Sequence, residues 1–146
     1  MAARNLENLA RDLESKAETI GEEVAHPVMK QIARATLKNL ILATPVDTSQ
    51  ALSNWNVSLG TVTNLAPRGP FVTGSRGSTQ DISASQALSK GVGIINQSRP
   101  GERIFISNPV DYVVELNQGK SPQAAPGFIE NAVQRGSIEG RAQAST

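Results

Sequence analysis

His26 is the single histidine of the chain, and acid–base chemistry would have to begin there. An imidazole works in catalysis when a nucleophile or an orienting acid stands beside it. Nothing in the sequence around Ala25-His26-Pro27 flags such a partner, so a helix-end or surface role is the expectation. Asp47 and Asp111 are the carboxylates that could be paired for hydrolysis. Asp47, however, lies in Pro45-Val46-Asp47-Thr48-Ser49, a setting suited to an Asx turn or a helix cap. Two acids without a further ligand set are weak equipment for metal-assisted chemistry. Cysteine is absent, which removes thiolate nucleophiles, thiolate metal sites and disulfides together. A lone histidine leaves no cluster for zinc. No metal, cofactor or catalytic set is expected.

The glycine-rich stretches fail the tests for a nucleotide site. Gly69-Pro70 through Gly74-Ser75-Arg76-Gly77-Ser78-Thr79 has no lysine where a Walker loop needs one, and no apolar strand leads into it. Gly91-Val92-Gly93 begins like a dinucleotide fingerprint, but Asn96 stands where the third glycine belongs. Arg68, Arg76, Arg99 and Arg103 form a different kind of set. They lie in or beside a loop-like stretch with few acids until Asp81 and Glu102. On a solvated loop they need no explanation. As a functional set they would face a partner or DNA phosphates, and in a many-fold ring they would sum to a positive belt.

Whole-chain numbers narrow the classes further. A length of 146 residues fits one domain. Lys and Arg total 14 against 13 acids, a net charge of +1, and a dedicated nucleic-acid binder would carry a marked basic excess. No apolar run approaches the ~20 residues needed to cross a bilayer. The N-terminal MAARNLENLARDLESK is charged throughout and lacks the apolar stretch of a signal peptide. A soluble protein with no membrane partner is the expectation.

The elements that would position these residues can be read from periodicity. Leu6, Leu9, Leu13, Ile20 and Val24, with Ala10 and Ala17, share one face of a helix spanning about residues 3–25. Glu7 with Arg11 and Asp12 with Lys16 are favourable i,i+4 pairs on its solvated side. Pro27 disfavours helical geometry at His26, and the apolar period resumes over 28–42. That leaves either a helix kinked at Pro27 or two helices. Trp55, Val57 and Leu59 alternate in a strand, with these three on one face. Residues 61–80 read as a long loop. Asp81 would cap a short helix over 82–90, closed by Gly91. Residues 103–107 form a second strand, and 111–116 are either a strand or one helical turn. Pro126 opens a helix over about 126–135, and the polar segment from Gly136 reads as a mobile tail. The sum is an α+β domain over residues 1–146: a helical arm (1–42), a body (43–135) with a small antiparallel sheet and a long loop insertion, a short C-terminal helix, and a tail (136–146). With so few strands, part of the apolar surface is expected to close against another subunit.

Two segments carry a resemblance. Residues 43–60 read A-T-P-V-D-T-S-Q-A-L-S-N-W-N-V-S-L-G, and residues 106–133 read I-S-N-P-V-D-Y-V-V-E-L-N-Q-G-K-S-P-Q-A-A-P-G-F-I-E-N-A-V. Together they resemble the neck and tail-completion (minor tail protein Z-like) family of long-tailed bacteriophages. Pro45, Val46, Asp47, Thr48, Leu52 and Trp55 carry the first part. Asn108, Tyr112, Gly119, Ser121, Gln123, Ala124, Pro126, Gly127 and Phe128 carry the second. Ser49 stands where the family has glycine, and Ala125 is an extra residue before Pro126. The loop over 61–81 has no pattern that aligns.

The resemblance implies a non-enzymatic virion structural protein, assembled in the host cytoplasm as a ring, with six subunits expected from tail symmetry. That ring would complete the tail and join it to the head connector around the DNA channel. Its partners would be copies of itself, head-closure proteins, and tail terminator or tail tube proteins, with non-specific contact to channel DNA. The motif residues themselves suit a structural role. Thr44-Pro45 ends a helix, Trp55 anchors a core, and Tyr112 packs its ring while its hydroxyl hydrogen-bonds. Within the same class, a tail terminator or head-closure subunit is the alternative. From other classes come a nucleic-acid-binding module using the four arginines and a small hydrolase built on Asp47, Asp111 and His26.

Overall fold

Strong helix formers dominate the first forty residues, and they form one helix, α1 (Ala2–Ala43), about 63 Å long at the α-helical rise. The computed structural model describes residues 2–45, 50–62, 66–67, 80–119 and 126–145. After α1 come α2 (Gln50–Ser53), β1 (Asn56–Leu59), α3 (Gln80–Asn96), β2 (Ile104–Ser107), α4 (Val113–Asn117) and α5 (Phe128–Ala144). The α+β class and the small antiparallel sheet expected from the sequence are present, in a mostly helical frame. β1 and β2 pair antiparallel, with Val57 opposite Ile106 and Leu59 opposite Ile104. Gly60 N–H donates to Arg103 O at 2.8 Å and extends the ladder by one bond.

Several elements differ from the sequence reading. α1 continues through Pro27 as a single helix. Proline inside a helix costs about 3 kcal/mol, and here it is followed by the turns of α1 that carry the core. α3 starts at Gln80, so Asp81 lies in its first turn, where a carboxylate favours the positive helix end. It also runs past Gly91 to Asn96. Gly91 is inside the helix because its missing side chain admits α1: a Cβ there would lie 2.2 Å from Leu37 Cδ2. The 111–116 segment resolves as helix α4. Trp55 and Val57 are buried, but so are Asn56 and Ser58, so polarity alternates along this segment while burial does not.

The largest difference is at the C-terminus. α5 begins at Phe128, with Pro126 and Gly127 in the turn before it, and extends through Ala144. The segment expected as a polar tail is thus mostly helix. Gly136 and Gly140 are buried because α1 runs directly beneath them. A Cβ on Gly136 would fall 2.4 Å from Thr36 Cα, and one on Gly140 2.3 Å from Ile32 Cα. These pairings run in opposite chain directions, so α5 lies antiparallel on α1. Phe128, Ala132, Gly136 and Gly140 repeat every four residues and make one buried stripe.

Leu37, Leu40 and Ile41 of α1 meet Trp55, Val57, Ile95 and Val113 in one apolar cluster. Leu37 and Ile95 are fully buried. The core thus occupies the C-terminal part of α1 only. Leu6, Leu9, Leu13, Ile20 and Val24 are all exposed, so the first half of α1 does not fold back onto the body.

Close packing reverses the usual sign of a glycine substitution. Gly→Ala in a helix interior normally stabilises by about 1 kcal/mol, and Gly93→Ala, where nothing lies within 4 Å, should do so. Gly136→Ala should instead lower stability by about 1–3 kcal/mol through overpacking. Urea unfolding of the two variants beside the parent chain checks the contrast.

Candidate functional site

Thr44 closes α1 by bonding back into it. Its amide donates to Leu40 O at 3.1 Å, and its hydroxyl donates to the same carbonyl at 2.5 Å. That leaves a lone pair of Oγ1 free to accept from Trp55 Nε1–H at 2.8 Å. The indole is thereby buried with its one polar atom satisfied, as buried tryptophan requires. Pro45 is buried beside this junction and Leu52 is fully buried. A threonine at the helix end, a proline after it and a tryptophan ten residues on thus build one corner of the core.

The second motif segment braces the same corner from the other side. Asn108 Nδ2 donates to Ala51 O at 2.8 Å, while its Oδ1 accepts from Val110 N–H at 3.1 Å. Tyr112 Oη lies 3.3 Å from Gln50 Oε1, with its ring partly exposed. Both side chains tie α2 to the connection between β2 and α4. Asn117 then organises the entry to α5. Its Oδ1 accepts from Ile129 N–H at 2.9 Å, its carbonyl accepts from Gly127 N–H at 2.7 Å, and its Nδ2 donates to Glu130 at 3.0 Å.

Glycine is required at two positions of this turn. Gly119 has φ +90°, and a Cβ there would also strike Pro126 Cγ at 2.6 Å; Gly127 has φ +78°. Pro126 is exposed, while Phe128 is buried. Val46, Asp47, Thr48, Ser49, Ser121, Gln123, Ala124 and Ala125 lie outside the described residues, as do Arg68, Arg76 and most of the 61–80 segment.

Of the candidate catalytic residues, Asp47 lies outside the described ones, and His26 bonds to Ser98 rather than to Asp111. His26 Nε2 is 2.9 Å from Ser98 Oγ, the spacing of a base–nucleophile pair, but the proton inventory opposes that use. Ser98 Oγ is also placed to donate to Ile95 O at 2.7 Å, and with that bond made Nε2 is the donor to Oγ. A histidine that donates to a hydroxyl cannot withdraw its proton. The pair fastens α1 to the end of α3. Asp111 is exposed in the turn before α4. Among the described residues, no three His, Asp or Glu gather in a metal-holding group.

Arg99 and Arg103 are exposed on the connection between α3 and β2. Glu102 lies between them, with Oε1 accepting from Arg99 N–H at 3.1 Å. Arg103 stands across from Gly60, where the 61–80 segment departs. Of the cavities, one of about 310 Å³ is lined by Met29, Ile32, Ala33, Thr36, Ile104 and Ile106. It is apolar, open, and holds no acid–base group. A smaller one of about 140 Å³ has Arg34, Lys38 and Glu139 among its lining. Arg34 reaches Asn96 Oδ1 from this side of α1.

The residues that the sequence left unmarked are Thr44 as an acceptor, Asn117 as the organiser of α5, and Gly91, Gly136 and Gly140 as contact points. Asn117 was visible within the Leu116-Asn117-Gln118-Gly119 run. The helical glycines carried the local signal of helix ends and linkers. Among the described residues, no helix is long and apolar enough to cross a membrane. The chain matches no known protein-family model, no curated protein and no solved structure.

Thr44→Val keeps the branched shape and removes the acceptor, leaving Trp55 Nε1–H buried and unpaired. A loss of about 1–3 kcal/mol is expected. Thermal unfolding followed by the fluorescence of Trp55, the single tryptophan, measures it.

Proposed function

We infer that this chain is a non-enzymatic structural subunit of the neck of a long-tailed bacteriophage. It forms a ring that completes the tail and joins it to the head connector around the DNA channel, acting by association without turnover. One observation carries the reading. Among the described motif residues that underlie the resemblance, Pro45, Leu52, Trp55, Asn108, Tyr112, Gly119, Gly127 and Phe128 serve two linked bracing tasks. They fix α2 and the strands against the end of α1, and they set the turn that launches α5. A motif spent on shape and not on a reaction suits a protein whose product is an assembly.

Two further features support the same reading. The arm and the apolar cavity beside β2 present unpartnered apolar surface, which suits a subunit that finishes its burial against neighbours. Arg99 and Arg103 sit together on one exposed connection, where a ring would repeat them. Tail terminator and head-closure subunits share these requirements and differ in which neighbours they touch.

The experiment is complementation of particles assembled without this chain. Adding the purified protein to their separated heads and tails should produce joined particles, with ring density at the junction in electron micrographs. Failure to bind either, with retention of duplex DNA that weakens steeply with salt, would replace this reading with the nucleic-acid module.

A further inference from the structure

Residues 6–25 of α1 are exposed on every side. Their apolar residues are not scattered. Leu6, Ala10, Leu13, Ala17, Ile20 and Val24 follow strict 4-3-4-3-4 spacing, the seam of a two-helix coiled coil. Leu9 flanks it. Leu6 is 66% exposed, Leu13 59%, Ile20 60% and Val24 71%. Beyond Val24 the spacing changes to steps of four through Val28, Ile32 and Thr36, the line on which Gly140 and Gly136 rest, and each such step turns about 40° away from the seam. Continued along that antiparallel pairing, α5 ends at Ala144 roughly level with Val28. Along the axis of α1, the exposed seam therefore begins where α5 stops.

We propose that this seam is covered by the same segment of a second copy of the chain, in an antiparallel arm-to-arm dimer. The pattern is self-complementary in one register. Leu6 faces the partner's Val24, Ala10 its Ile20, and Leu13 its Ala17, with the same pairs repeated by symmetry. The four central layers each set a large residue against an alanine, the interdigitation that fills a helix interface. Parallel pairing would set Ala10 on Ala10 and Ala17 on Ala17, leaving two hollow layers between bulky ones. The antiparallel register does place Glu14 near its own copy on one flank and Lys16 near its own on the other. Both positions are solvated, where such pairs are weak and screened.

Length and area agree with this occupant. The partner's arm, aligned in that register, ends near Val28, so it abuts α5 without overlapping it. Each α1 is then covered along its length by its own α5 and by the partner's arm. A standard stable interface buries about 1,200 Å² or more in all, and Leu6, Leu9, Leu13, Ile20 and Val24 of each copy, every one more than half exposed, are available to supply it. Being isologous, the contact closes at two copies. It describes the free protein, goes beyond the neck reading, and does not depend on it.

Sedimentation of the full chain, without heads or tails, tests the proposal. A dimer is expected in the micromolar range, with Leu13→Glu raising its dissociation constant at least about tenfold. The circular dichroism melt of the body should be unchanged by Leu13→Glu, because residue 13 touches nothing in it. The absence of native cysteine allows the register to be read directly. A mixture of Leu13→Cys and Ala17→Cys chains should form disulfide-linked dimers under mild oxidation, and neither variant alone should. A monomer at tens of micromolar, an oligomer insensitive to Leu13→Glu, or efficient cross-linking of either variant with itself would each overturn it. None of these results bears on complementation of heads and tails, so the two readings fail separately.

Discussion

Two helix backbones meet without side chains between them where α5 crosses α1, and the body is arranged around that approach. Gly136 and Gly140 admit the backbone of Thr36 and Ile32, while Ala132 and Phe128 continue the stripe with steadily larger side chains towards the core. Interiors pack densely and resist added volume, so the stripe fixes both the crossing and the axial position of α5. Asn117 then determines where α5 begins, since its carbonyl and side chain accept from Gly127 and Ile129.

A second constraint locks the C-terminal end of α1. Thr44 terminates α1 by hydrogen bonds to Leu40 and receives the indole of Trp55. One hydroxyl thus couples the end of a long helix to the start of the sheet. Asn108 and Tyr112 brace α2 across from it, and His26 with Ser98 holds α1 against the end of α3. These polar contacts are directional, whereas the apolar cluster they enclose is not. The cluster drives the association of helices and strands; the directional bonds select one arrangement among many that would bury similar area.

Division of α1 into two parts follows from where these contacts are found. From about Ala33 onward the helix is core, wrapped by α3, α5 and the sheet. Before His26 it has no such cover, although its seam is as regular as the buried one. The exposed part keeps 4-3 spacing and the line under α5 runs in steps of four; α5 has only seventeen residues and stops. The exposed seam is a consequence of that unequal length, and it gives a functional reading based on assembly a physical basis that does not depend on the motif residues.

Periodicity and residue chemistry determined a good deal without the fold. The amphipathic run of Leu6 to Val24, the strands around Val57 and Ile104, the burial of Trp55 and the launch of a helix after Pro126-Gly127 are all local consequences of spacing, branching or backbone restriction. Tertiary structure decided the rest. Glycine disfavours helix because it has no side chain to restrict the backbone, and so Gly91 read as a helix end and Gly136 as the start of a mobile tail. Inside a packed protein the same missing side chain permits close approach, and the tight packing that results outweighs the weak helix propensity. Pro27 read as a kink or a boundary because it removes a backbone donor and disfavours helical geometry at His26, and the turns after it are held by neighbours distant in sequence. That Ser98 would meet His26 across seventy-two residues, and that its proton would go to Ile95, was beyond any pattern, since only folding brings those atoms together.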